Sequence, residues 1–178
     1  MSAKQAYKAL VPNLAECLSA LEEDEYLIVA RKHTNVYVQF AGQGWHGMRA
    51  EAVSNAHILP LTTLLSVKQY EAMLRLGWQR PTSLPEEADS DGRTPRDVDG
   101  SCNFFVDVPR DGDLRALARM AVRTLRDVYH VTHPGHLEYH AFSSDGTGLR
   151  FPTLQIKRRR AEAMDAMVGR YGGVVRVV

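Results

Sequence analysis

The chain has 178 residues, 22 Lys and Arg against 21 Asp and Glu, and 44% hydrophobic residues. That is long enough to bury a core without covalent staples, and it predicts one domain over residues 1–178. No apolar run approaches the ~18 residues of a membrane span, and the opening MSAKQAYKAL lacks a signal-peptide apolar block. Cys17 and Cys102 form no CxxC pair and fit reduced thiols in a cytoplasmic protein.

Leu10, Leu14, Cys17, Leu18 and Leu21 make one apolar helical face, with Pro12 suited to a first helical turn and residues before it a separate short helix or arm. The acidic run Glu22–Glu25 opposes the helix dipole, so a prompt turn is expected there. Tyr26–Ala30 is a β-prone run, apolar on both faces and hence a central strand. Val36, Val38 and Phe40 alternate as a half-buried strand. Gly42 and Gly44 permit a tight reversal. Trp45–Val53 forms a third run, with His46, Met48, Ala50 and Ala52 on one face and Trp45, Arg49 and Glu51 on the other. Pro60 ends that unit.

Leu64 to Leu76 repeats at helical spacing, with Ser66 as N-cap and Gly77 as the stop. Residues 82–101 are polar and acidic, with Pro and Gly, and read as an exposed loop. Asn103–Val108 is a strand. Leu114 to Val128 is a long amphipathic helix with Asp111 and Asp113 at its start. Leu137–Phe142 and Phe151–Ile156 read as strands, Arg158–Arg170 as weakly helical and Val174–Val178 as a β-prone end. The basic C-terminal segment spans about 157–178. Three strands joined by short turns cannot be parallel, so the order predicts an α+β domain with helices packed on an antiparallel sheet.

Three patterns were weighed for chemistry. Gly42-Gln43-Gly44-Trp45-His46-Gly47 matches GxGxxG, but Trp45 is bulky where a backbone must approach pyrophosphate and Pro60 closes the supposed helix early, so a glycine hairpin turn is preferred. His130, His133, His136 and His140 cluster near Glu138, but Pro134-Gly135 breaks any shared helical face and surface histidines are the plainer reading. Arg115, Arg119, Arg123 and Arg126 line one helix face, and Lys157–Arg160 adds a basic run. No aromatic platform interleaves them, which makes nucleic-acid binding the weaker reading. Catalytic residues, a cofactor and a metal are therefore not expected. Trp45, Met48, Trp78 and Phe104 are the side chains best suited to grip a partner. An enzyme using the Gly42–Gly47 turn or the His130–His140 cluster is the alternative.

Ala50-Glu51-Ala52-Val53-Ser54-Asn55, then Leu76-Gly77-Trp78 with Pro81, then Asn103-Phe104, resemble the actinobacterial proteins grouped with YbjN and type III secretion chaperones. Phe104 stands where that group often has tryptophan, and the resemblance covers roughly residues 10–140. It implies a type III secretion chaperone-like α+β fold, an antiparallel sheet flanked by helices. It also implies a non-enzymatic, peptide- or protein-binding chaperone or adaptor whose partner is a client segment. Dimers are common among secretion chaperones, so a homodimer is a further expectation. No membrane partner is expected.

Overall fold

The computed structural model describes residues 2–58, 64–82 and 100–159. The unit boundary at Pro60, most of the loop expected at 82–101, and the C-terminal elements beyond Arg159 lie outside the described residues. Six strands form one sheet, ordered β4-β3-β2-β1-β5-β6. They are β1 Glu25–Arg31, β2 Tyr37–Gly42, β3 Met48–Ala52, β4 Phe104–Val108, β5 Leu137–Ser143 and β6 Lys157–Arg158. The first five pair antiparallel, and β6 adds a short parallel edge beside β5. The expected α+β class is what the chain adopts, with β1 in the interior as its two-sided apolar sequence requires.

Helices cover one sheet face. Leu27, Val29, Val38, Phe40, Ala50, Phe104 and Ala141 bury that face against α1, Ala3–Ser19, and α3, Leu114–Arg123. At ~25 cal/mol per Å² of apolar area, this two-layer burial is the main stabilising term. Helix α2, Val67–Leu76, starts at Ser66 with a capping box to Gln69 and ends at Gly77, whose φ of 111° is left-handed. That is the Ser-to-Gly span the sequence predicts.

Two expectations need correction. Pro12 does not open a helix: α1 begins at a Ser2–Gln5 capping box and runs through Pro12 without a break. Tyr7 and Leu10 before the proline, and Leu14 and Leu18 after it, all lie in the core, and burial on both sides outweighs the one hydrogen bond the proline cannot make. Phe151–Ile156 is not a strand. Pro152–Leu154 forms a 3₁₀ turn, because proline fixes φ and cannot donate to a ladder. The long amphipathic helix continues past α3 as a π-turn over Thr124–Val128.

Candidate functional site

The strand register sends the β1 start, the β2 end, the β3 start, the β4 end and the β5 end to the same edge of the sheet. The reversal between β2 and β3 is a 3₁₀ turn over Gly44–His46. The chain after Gly44 therefore continues as a strand, and no helix opens at Trp45 to receive a pyrophosphate. The glycines serve packing. The Gly42 carbonyl accepts Asp24 N–H at 3.1 Å, and Gln43 N–H donates to Gly47 O at 2.9 Å. A Cβ on Gly44 would stand 2.6 Å from the Glu23 carboxylate, and one on Gly47 would stand 2.7 Å from Arg110 N. The turn is thus wedged between the α1–β1 and β4–α3 connections.

The four proposed partner contacts fall into two groups. Met48, Trp78 and Phe104 are core residues, 4%, 3% and 0% exposed, whereas Trp45 is 77% exposed. The Trp78 indole N–H donates to Thr124 Oγ1 at 2.8 Å. The Phe104 ring meets Tyr70 edge-on at 4.8 Å. The Trp45 ring carries the Arg110 guanidinium at 5.0 Å, a cation–π contact that holds an exposed aromatic in place.

Several residues of the family-like motifs hold one another in place through hydrogen bonds. Ser54 N–H donates to Asn103 Oδ1 at 3.1 Å and Ser54 Oγ donates to the Cys102 carbonyl at 2.7 Å. Asn103 Nδ2 reaches Tyr37 Oη and Glu51 Oε2, both at 3.3 Å. Asn55 clamps the main chain of Leu65 with both ends of its amide. That clamp fixes one wall of a cavity of about 370 Å³ along α2, lined by Leu65, Val67, Tyr70 and Leu74 among others. The short amide and hydroxyl side chains of Ser54, Asn55 and Asn103, which pair readily with nearby backbone, were the signal for a latch.

The sheet face turned away from the helices carries Tyr26 and Ile28 of β1, Gln39 and Ala41 of β2, and His140 and Phe142 of β5, by strict alternation. Tyr26 and Phe142 stack at 5.3 Å, and the His140 ring lies 4.8 Å from that of Phe142. Ile28, Ala41 and Phe142 are half-buried, while Tyr26 and His140 are buried. The β3–β4 side of this face is capped by Arg49, which binds both Asp107 carboxylate oxygens at 2.7 and 2.8 Å and reaches Gly100 O at 3.3 Å.

The histidines do not converge. His133 Nδ1 accepts Gly135 N–H at 2.8 Å, a local turn contact, and His136 lies 3.3 Å from Thr132 Oγ1. His140 is buried on the sheet face turned away from the helices, and His130 is exposed. Among the described residues no group of three or more His, Cys, Asp or Glu is placed to hold a metal. Of the arginine stripe on α3 and its extension, Arg123 and Arg126 share the Asp127 carboxylate at 3.5 and 2.6 Å. Cys17 and Cys102 are free thiols, and burial pushes Cys17 up to about 11, far from the thiolate a nucleophile needs.

Burial holds His140 below its ordinary value, helped by Arg158 and Arg159, and burial lowers His57 against the opposing pull of Glu51. Each imidazole therefore binds its proton more weakly folded than unfolded. The stability this confers is full above the unfolded value of about 6.5 and is lost as pH falls from there through the folded values. Urea midpoints should drop between about pH 7 and about pH 5, and the double change His57→Gln with His140→Gln should flatten that slope. An unchanged slope in the double variant would remove both residues from the account.

A family model described as "T3SS (YopN, CesT) and YbjN peptide-binding chaperone 3", TY-Chap3, matches residues 2–143. No curated protein and no solved structure matches the chain. The match spans α1 through β5 and so takes in the turn carrying Trp45, the latch and the sheet face turned away from the helices.

Proposed function

We propose that this chain, which belongs to the TY-Chap3 family of peptide-binding chaperones, is a non-enzymatic chaperone or adaptor that holds a client segment at the sheet end bearing Trp45. The observation that carries the reading is Trp45 itself. Among the described residues it is the exposed large aromatic, at 77%, and Arg110 steadies its ring. A rigid, exposed indole is costly to leave in water and is the kind of side chain that anchors interfaces. Ala41 and Phe142, half-buried on the sheet face turned away from the helices, lie at that same end, and Ile28 follows along β1. An extended segment laid there would bury alternate side chains against them. A reducing cytoplasm suits the two free thiols.

The two tryptophans give a direct test, because Trp78 is 3% exposed and Trp45 is 77% exposed. Binding of a client peptide should blue-shift and shield emission from Trp45. Trp45→Ala should weaken binding at least about tenfold, a hot-spot effect, while moving unfolding stability by no more than about 0.5 kcal/mol. Peptide affinity that survives Trp45→Ala intact counts against this site.

A further inference from the structure

The same end of the sheet specifies more than an apolar anchor. Glu22, Glu23 and Asp24 form the α1–β1 turn, Asp111 follows Arg110 in the β4–α3 connection, and Asp145 lies in the reversal after β5. Direct contacts tie these turns together. Asp24 N–H donates to Gly42 O at 3.1 Å, Ser144 N–H donates to Asp24 O at 2.8 Å, and Glu23 stands against Gly44 beside Trp45.

Ion pairs with Asp or Glu do form elsewhere in the chain: Asp107 with Arg49, Asp127 with Arg123 and Arg126, and Glu138 with Arg159. Among the described residues, none of the acidic side chains around the Trp45 turn has a basic side chain within 4.0 Å. Arg110, the local counter-charge, keeps its guanidinium on the Trp45 ring. Carboxylates without an ion pair, on three turns at one end of the sheet, create a net negative field that Arg110 offsets only in part and that reaches into solvent about one Debye length, ~8–10 Å at physiological salt.

We infer that the client segment taken by this end of the sheet is cationic, an extended peptide with Arg or Lys between apolar side chains. The apolar residues would cover Trp45 and the basic ones would face the turn carboxylates. This rests on the peptide-binding reading above and names the class of client for that site. An acidic segment would meet like charge from three turns, where Glu22, Glu23, Asp24, Asp111 and Asp145 outnumber the positive charge of Arg110. The matching contacts would be solvent-exposed, so they set selectivity and association rate more than total affinity.

The test uses the full chain and two labelled peptides of one Leu/Val skeleton, one carrying Arg and the other Glu at the intervening positions. The Arg peptide should bind about tenfold more tightly, with the preference shrinking as salt is raised. The triple change Glu22→Gln, Glu23→Gln, Asp24→Asn should bring the two affinities close together. These turn residues are surface groups, and a thermal melt of the variant confirms that it is folded. Equal affinities, a preference for the Glu peptide, or a preference untouched by the triple change would overturn the cationic assignment. If Trp45→Ala weakens both peptides equally in that case, the binding site itself still stands. If Trp45→Ala weakens neither, the site fails with the assignment.

Discussion

Phe104→Ala should lower the stability of the folded chain by about 3–5 kcal/mol, the range for removing a buried aromatic from a packed core. Phe104 is fully buried, at 0% exposure, and opens β4 opposite Ala52, with its ring 4.8 Å from Tyr70 of α2. Truncation would leave a void that β4, held on one side by β3 and at Phe105 by Gln79, cannot close by sliding. Domains of this size have about 5–15 kcal/mol in all, so the variant should melt early or purify poorly. Phe104→Leu keeps most of the volume and should recover much of the loss. A Phe104→Ala protein with a native urea midpoint would show that the ring does not pack where the structure has it. The contrast with Trp45→Ala, expected to be silent in stability and costly in binding, divides residues that sequence chemistry alone treats as equivalent.

Alternation marks β2 and β3 and helical spacing marks α2, while β1, β4 and β5 are legible from their dense β-prone composition. Ser66 and Gly77 cap α2 by the same chemistry that makes them legible in one dimension. Pro12 misled, since its cost inside α1 is offset by core contacts from Tyr7 to Leu18 that only the tertiary fold supplies. Which aromatic stays exposed was not legible either. Met48 and Trp45 are three residues apart in one run, yet one enters the ladder and the other sits in the 3₁₀ turn just before it. Arg110 reaches Trp45 only because β3 and β4 pair from Met48–Val108 to Ala52–Phe104. The acidic end is hidden for the same reason. Glu23, Asp111 and Asp145 are remote in sequence and are brought to one end of the sheet by strand order. The polar latch of Ser54, Asn55 and Asn103 was partly legible, as side chains that bond nearby backbone, though not their partners.

Gly47→Ala should destabilise the chain by about 3 kcal/mol or more, from two additive causes. Gly47 has φ 95° and ψ −124°, a conformation open to glycine and strained for any side chain by about 1–3 kcal/mol. The added methyl would also overlap the carbonyl oxygen of Val108, which pairs with Met48 in the β3–β4 ladder, and stand 2.7 Å from the backbone N of Arg110 two residues on. Relief would require the turn to lift away from Pro109 and Arg110, which would draw Trp45 off its guanidinium. The variant should therefore lose peptide binding along with stability. Gly44→Ala differs. Its φ of 54° lies in the left-handed region, but the obstructing atoms belong to the Glu23 side chain, the nearest of them to its flexible carboxylate end, so a loss near 1 kcal/mol is expected. The ordering is diagnostic. A phosphate cradle would be most sensitive in ligand affinity at the glycine nearest the ligand, with little change in the empty protein. A wedged turn is most sensitive in the folding of the empty protein at the glycine pressed hardest against backbone. Urea melts of the two variants without any ligand decide between them, and near-equal midpoints would count against the wedge.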